Sequence, residues 1–114
     1  MNYEDKSDFE INKSVYALEF REQPKCHGEF IYHPKMCSEY DPCNNPRDSW
    51  PIIIENEITL FFGWGDCEVS FDYLSPCGVF GTHETLTHVI NVSQAKVLRA
   101  AMICYLMKKE KECE

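Results

Sequence analysis

Cysteine and histidine are the residue types in this chain that could bind a metal ion. The chain has seven cysteines and four histidines, and structural zinc sites pair their ligands at close spacing, as in Cys-x-x-Cys. No Cys-x-x-Cys pair occurs, although Cys26, Cys37 and Cys43 share one irregular stretch with His27 and His33. Because the close pairing is missing, we predict no metal and no cofactor, with a site formed from Cys26, Cys37 and Cys43 with His27 or His33 as the alternative.

A nucleophilic enzyme would need a thiol or hydroxyl, a histidine base and an orienting acid. Cys77 with His83 or His88 supplies the residue types, but a chain this rich in cysteine and histidine contains such combinations by chance. No phosphate-binding glycine loop, nucleophile elbow or zinc-protease motif occurs. The sequence therefore predicts a protein that is not an enzyme. The alternative is a metal- or small-ligand-dependent enzyme that uses the Cys/His-rich stretch.

The negative charge is concentrated in the middle of the chain. Nineteen acidic and eleven basic residues give a formal net charge of −8. Residues 48–95 contain no Lys or Arg and seven acidic residues: Asp48, Glu55, Glu57, Asp66, Glu68, Asp72 and Glu84. A surface that binds nucleic acid needs an excess of basic residues, so we expect no direct nucleic-acid binding.

Two segments within this acidic stretch, 57–62 and 67–73, alternate apolar and polar residues and predict a β-hairpin. A loop of two or four residues keeps the apolar face and the acidic face separate, and the four-residue loop sets Glu57 opposite Asp72. Alternate strand residues lie about 6.8 Å apart, so Asp66, Glu68 and Asp72 would form a row of carboxylates. We interpret this row as a partner-binding face, and a merely solvated face is the alternative.

Trp64 falls at the tip of the predicted hairpin, beside the row of carboxylates. An aromatic side chain exposed on a turn is typical of an anchor residue for a protein partner. The alternative is that the indole folds back onto the domain. We include Trp64 in the predicted partner-binding set.

The remaining elements predict one small α+β domain over residues 1–114, with an irregular Cys-rich loop at 26–45. Ser7 begins a first helix with the stripe Ile11, Val15 and Leu18. Asn45-Pro46 begins a second over about 46–55, and a strand is the alternative there because of Pro51 and the run Ile52-Ile53-Ile54. Segment 86–92 predicts a strand, and Ser93 would cap a last helix over about 94–110. Residues 97–107 are apolar nearly all round, so this helix either packs centrally or also forms a homodimer.

No segment reads as a signal peptide or a membrane span, so we expect a soluble intracellular protein with reduced thiols. We predict a small single-domain α/β sandwich in which an antiparallel hairpin-based sheet is packed by about three helices.

Three sequence blocks resemble the small NinX-like phage proteins, which are placed with the phage "ABA sandwich" domains. They are SDFEIN at 7–12, DPCNNPRDSWPIIIEN at 41–56 and LRAAMICYLM at 98–107. The chain departs from the usual pattern at Ser49, where alanine is usual, and in a longer Cys-rich insert around 26–43. The resemblance implies a bacteriophage or prophage protein in the bacterial host cytoplasm, and it implies no activity. It also marks Asp41, Asn44, Asn45 and Trp50 as motif positions, although helix capping and core packing explain Asn45 and Trp50 equally well.

From these observations we predict a phage accessory protein that binds a host or phage protein. The sharpest form of this hypothesis is an acidic inhibitor of a host-defence enzyme, CRISPR complexes included, or of a nucleic-acid enzyme, with its carboxylates in a groove meant for phosphate. A structural homodimer through residues 97–107 is the further alternative.

Overall fold

A computed structural model of the chain describes residues 3–63, 65–75 and 84–112. The helices and strands follow in chain order: α1 (Asp8–Phe20), β1 (Cys26–His27), β2 (Phe30–Ile31), α2 (Pro46–Glu55), β3 (Thr59–Phe62), β4 (Asp66–Ser75), β5 (Glu84–Ser93) and α3 (Val97–Glu112). Two short 3-10 turns, Tyr3–Asp5 and Gln94–Lys96, precede α1 and α3. The result is a small single-domain α+β fold, as predicted.

The first helix begins where its capping residue predicts. The Ser7 hydroxyl accepts a hydrogen bond from the Glu10 backbone N–H at 3.2 Å, which satisfies one of the unpaired donors of the first turn. Ile11 and Val15 of the predicted apolar stripe are fully buried, but Leu18 is exposed. The helix ends at Phe20, before Pro24, because Arg21 takes the left-handed conformation with φ 53°.

The second helix has the predicted bounds. Asn45 caps it by accepting from the Arg47 N–H at 3.0 Å, and Pro46 occupies the first turn. Its end is a Schellman motif, in which Glu57 donates its N–H to the Ile54 carbonyl and Ile58 donates to the Ile53 carbonyl. Glu57 has the left-handed φ of 54° that this motif requires.

The main sheet has the strand order β3-β4-β5, and both pairings are antiparallel. In the hairpin Thr59 pairs with Ser70 and Phe62 pairs with Cys67. Four residues, 63–66, therefore lie between the two members of the last pair. This is the four-residue version of the two registers that the sequence allowed, and it places Leu60, Val69 and Phe71 on one face and the acidic residues of β4 on the other. The predicted strand at 86–92 is also present, as part of β5.

The last helix lies at the centre of the fold. α3 contacts β4 and β5 on one side and α1 and α2 on the other, and every residue from Ala100 to Leu106 is buried. Ser93 occupies the cap position of the 3-10 turn Gln94–Lys96 without a side-chain cap hydrogen bond, so the helix predicted from about residue 94 begins at Val97 instead. The central-packing interpretation of residues 97–107 is therefore correct, and the homodimer that the sequence also allowed stays a prediction.

In the described part of the chain no helix is long and apolar enough to cross a membrane.

Candidate functional site

The acidic residues of β4 lie on the sheet face that points away from α3. This outer sheet face consists of Thr59 and Phe61 on β3, Asp66, Glu68, Ser70 and Asp72 on β4, and Thr87, Val89, Asn91 and Ser93 on β5. Asp66, Glu68 and Asp72 are all exposed. Since β4 is the central strand, the carboxylates run along the middle of the face. The structure thus brings three of the five predicted partner-binding residues into one row.

The other two predicted partner-binding residues fall outside this row. Glu57 is used by the Schellman turn that ends α2, and β3 begins only at Thr59. The predicted pairing of Glu57 with Asp72 is therefore wrong, because the helix end takes the residue that the alternation assigned to the strand. Trp64 lies outside the described residues.

Polar and apolar groups are mixed on the outer sheet face. The Thr87 hydroxyl donates to Asp72 Oδ1 at 2.6 Å across the β4–β5 pair. Phe61, which pairs with Glu68, is 62% exposed, and Val89, which pairs with Ser70, is 47% exposed. A face with exposed apolar groups beside a row of carboxylates offers a partner both a contact surface and a charge pattern.

A second cluster of polar side chains joins the three sequence blocks of the resemblance. We call Asp8, Asn12, Asp41, Asn44 and Arg99 the polar network. Asn12 Nδ2 donates to Asp41 Oδ1 at 2.7 Å, and Asn44 Nδ2 donates to both Asp41 and Asp8. Arg99 Nη1 forms an ion pair with Asp8 Oδ1 at 2.6 Å, and its Nη2 donates to the Lys6 carbonyl at 2.5 Å. The network therefore connects α1, the turn before α2, and α3.

Two of the four motif positions, Asp41 and Asn45, hold the backbone of the turn before α2. The Asp41 carbonyl accepts from the Asn45 N–H at 2.7 Å, and the Asp41 N–H donates to Asp48 Oδ2 at 2.9 Å. Asp48 is buried and also accepts from Arg47 Nε at 3.1 Å. Asp41 and Asn44 therefore have structural roles as partners in the polar network, and Asn45 has a structural role as the cap of α2.

The fourth motif position, Trp50, is not in the core. It lies on the solvent side of α2 and is 54% exposed, while Ile52 and Ile53 of the same helix are buried. Core packing does not explain this tryptophan, because the side chains of α2 that face the core are those of Ser49, Ile52 and Ile53.

We therefore expect Trp50→Ala to change the free energy of unfolding by less than about 1 kcal/mol, since truncation of a buried tryptophan costs about 3–5 kcal/mol. Urea denaturation of the two proteins measures the difference. In a Trp64→Phe background, the fluorescence of Trp50 should be quenched by iodide in the native state. A native indole shielded from iodide, or a loss above about 3 kcal/mol, would contradict this placement.

The candidate metal ligands do not form a site in the described residues. Cys26 and Cys37 are exposed and Cys43 is buried, and no group of three or more potential ligands comes together within residues 3–63, 65–75 and 84–112. His27 pairs with Phe30 in the short β1–β2 ladder. His33 uses its Nδ1 to accept from the backbone N–H groups of Lys35 and Met36, at 3.0 and 3.2 Å.

Burial also makes the Cys43 thiol a poor nucleophile or ligand. Its removal from water raises the pKa of Cys43, and the nearby Asp8 carboxylate raises it further against the lowering effect of Arg99. Of the combination of Cys77 with His83 or His88 that was considered for nucleophilic catalysis, His88 packs against Phe71 with ring centroids 5.5 Å apart. Cys77 and His83 lie outside the described residues.

A cleft of about 830 Å³ lies where the ends of α1 and α2 meet α3, and it includes Glu19, Glu55, Tyr105 and Lys109 in its lining. Burial raises the pKa of Glu19, and the neighbouring Glu55 carboxylate adds to the increase, while Lys109 opposes it. Because acidic and basic side chains share this cleft, it has no single charge preference that would identify a ligand.

The polar network includes Asp8, Asn12 and Arg99, which the sequence reasoning did not select. Asp8 and Asn12 are four residues apart and share one side of α1, and Arg99 interrupts the apolar run of the last helix. The signal available in the sequence was a polar residue, Arg99, inside an otherwise apolar block, which marks a position where a polar side chain needs a partner.

Comparison with known proteins shows the family of this chain. The chain is a small α+β protein, and its three sequence blocks resemble a phage family. A family model described as "Bacteriophage P22, NinX" matches residues 2–109, and the chain therefore belongs to this bacteriophage NinX family. No curated protein and no solved structure matches the chain.

Proposed function

We propose that this phage accessory protein acts in the bacterial host cytoplasm by binding another protein through its outer sheet face. The observation that carries the proposal is the row of exposed carboxylates on β4, Asp66, Glu68 and Asp72, in a stretch of 48 residues without Lys or Arg. Within the described residues, helices pack on only one side of the sheet, so the carboxylates remain accessible.

The charge pattern favours a partner with a basic surface. Side chains that alternate along a strand repeat at about 6.8 Å, so Asp66 and Glu68 lie one repeat apart and Asp72 lies two repeats beyond Glu68, with Ser70 between them. The three carboxylates present a line of negative charge on a rigid support. Such a line can occupy a Lys/Arg-lined groove that otherwise receives nucleic-acid phosphates. We therefore propose a nucleic-acid enzyme, or a host-defence complex such as a CRISPR effector or a restriction enzyme, as the target of inhibition.

Reversal of charge on the outer sheet face should release this partner. For Glu68→Lys/Asp72→Lys we expect at least a tenfold loss of affinity, because like charges placed across an interface cost several kcal/mol. The matched control is Glu29→Lys/Glu39→Lys, which makes the same change in net charge at two exposed positions outside the sheet face.

The measurement is an affinity pull-down from the bacterial host with each tagged protein, followed by mass spectrometry and by titration of the retained partner at several salt concentrations. We expect the wild type and the control to retain the same partner, and raised salt to release it. If the face variant binds as the wild type does with the same salt dependence, the proposal is wrong.

A further inference from the structure

β5 is a long edge strand whose outer edge is unpaired among the described residues. Its register with β4 runs without interruption from Asp66↔Ser93 to Ser75↔Glu84, so it contains no bulge. Edge strands are usually protected by lysine, proline or a bulge, and the sequence of β5, ETLTHVINVS, contains neither lysine nor proline. The strand therefore exposes a row of backbone donors and acceptors that another strand could use.

A groove runs beside β5 on the inner side of the sheet. α3 lies mainly under β4, so the inward-facing Leu86, Ile90 and Val92 of β5 are only half-buried. Ile90 and Val92 line a groove of about 410 Å³ together with Ala100 and Ile103 of α3, while the charged residues Glu4, Lys96 and Arg99 line its other part. A strand added to β5 would place its inward side chains over this groove, and apolar side chains there would be removed from water.

The other side of an added strand would lie near the carboxylates. Neighbouring strands are about 4.8 Å apart, so outward side chains on the added strand would lie two strands, or about 9.6 Å, from β4. The intervening outward residues Thr87, Val89 and Asn91 are uncharged. Long lysine or arginine side chains can lie across such a surface and place their charged ends beside Glu68 and Asp72.

We propose that β5 docks an extended segment of the partner protein in which basic residues alternate with apolar residues. The apolar residues face the groove beside α3, the basic residues face the outer sheet face, and the backbone pairs with the edge of β5. This inference rests on the proposed function, since the same carboxylates attract the partner, and it adds the conformation and the sequence pattern of the segment that is bound.

Two eight-residue peptides of identical composition test the pattern, one with lysine and valine in strict alternation and one with the same residues shuffled. Isothermal titration calorimetry should give at least tenfold tighter binding for the alternating peptide, and amide shifts in the NMR spectrum should concentrate on β5. The Val89→Lys variant should weaken this binding at least tenfold. Thr59→Lys is the matched control, because it adds the same charge to the same face at the opposite edge strand, and it should change the affinity less than threefold.

Several outcomes would overturn the inference. Equal affinity for the two peptides, no binding of either, or equal losses in Val89→Lys and Thr59→Lys would each exclude addition of a strand at β5. A concentration-dependent dimer that Val89→Lys dissociates would assign the edge to a second copy of the chain and would also overturn it. The pull-down with Glu68→Lys/Asp72→Lys uses no peptide, so it separates failure of strand addition from failure of the acidic face.

Discussion

Asn12→Ala is expected to lower the free energy of unfolding by about 3 kcal/mol, because it removes the most buried side chain of the polar network. Asn12 is 5% exposed; its Nδ2 donates to Asp41 at 2.7 Å, and its Oδ1 accepts from the buried Cys43 N–H at 3.1 Å. Truncation leaves that N–H without a partner, and an unsatisfied buried donor costs about 1–3 kcal/mol in addition to the lost hydrogen bond to the carboxylate. Urea denaturation monitored by circular dichroism measures the change.

Asn44→Ala is the matched control for Asn12→Ala. Asn44 donates to the same Asp41 carboxylate, at 3.2 Å, but its side chain is exposed and water can replace it. We expect a loss of about 0.5–1 kcal/mol. Equal losses in the two variants would show that the network stabilises the fold no more at its buried end than at its exposed end.

Phe71→Ala is expected to have the largest effect on stability, a loss of about 3–5 kcal/mol. Phe71 is 1% exposed on the central strand, on the face that packs against α3, so truncation leaves a cavity between the sheet and the central helix. Thermal and urea unfolding measure the loss. If Phe71→Ala does not fold, Phe71→Leu should fold with a smaller loss, because it keeps most of the apolar volume.

Phe61→Ala provides the comparison on the opposite face of the same sheet. Phe61 is 62% exposed, so its truncation should cost less than about 1 kcal/mol, the range of a cross-strand pair. A loss as large as that of Phe71→Ala would mean that the outer sheet face is covered, and it would remove the accessibility on which the proposed function depends.

Local sequence patterns were sufficient to predict most of the elements. A serine followed three residues later by a glutamate predicted the beginning of α1, and Asn45-Pro46 predicted α2, because caps act through the backbone of adjacent residues. Strict alternation limited the loop of the β3–β4 hairpin to two or four residues, since a shift by one residue would expose its core face, and the structure has the four-residue version. The row formed by Asp66, Glu68 and Asp72 follows from the same alternation.

The positions at the ends of elements were predicted less well. Alternation assigned Glu57 to a strand, but the preceding helix needs a left-handed residue to satisfy its last carbonyl groups, and Glu57 fills that position. The apolar period of α1 included Leu18, which is exposed, whereas the polar Asn12 is buried. Periodicity describes the average side of a helix, and the actual burial of each residue depends on what packs against it.

The sequence by itself therefore determined the α+β class, the starts of the first two helices, the separate apolar and acidic faces of the hairpin and the resemblance to the NinX-like family. Only the tertiary structure decided that α3 is central, that Trp50 is exposed and that Asp8, Asn12 and Arg99 meet in one network. Caps, turns and alternation arise from interactions between residues close in the chain. Burial and the network require contacts such as that of Arg99 with Asp8, which are separated by 91 positions. A polar residue in an apolar block marks a position that needs a partner, but a single sequence does not show which distant residue that partner is.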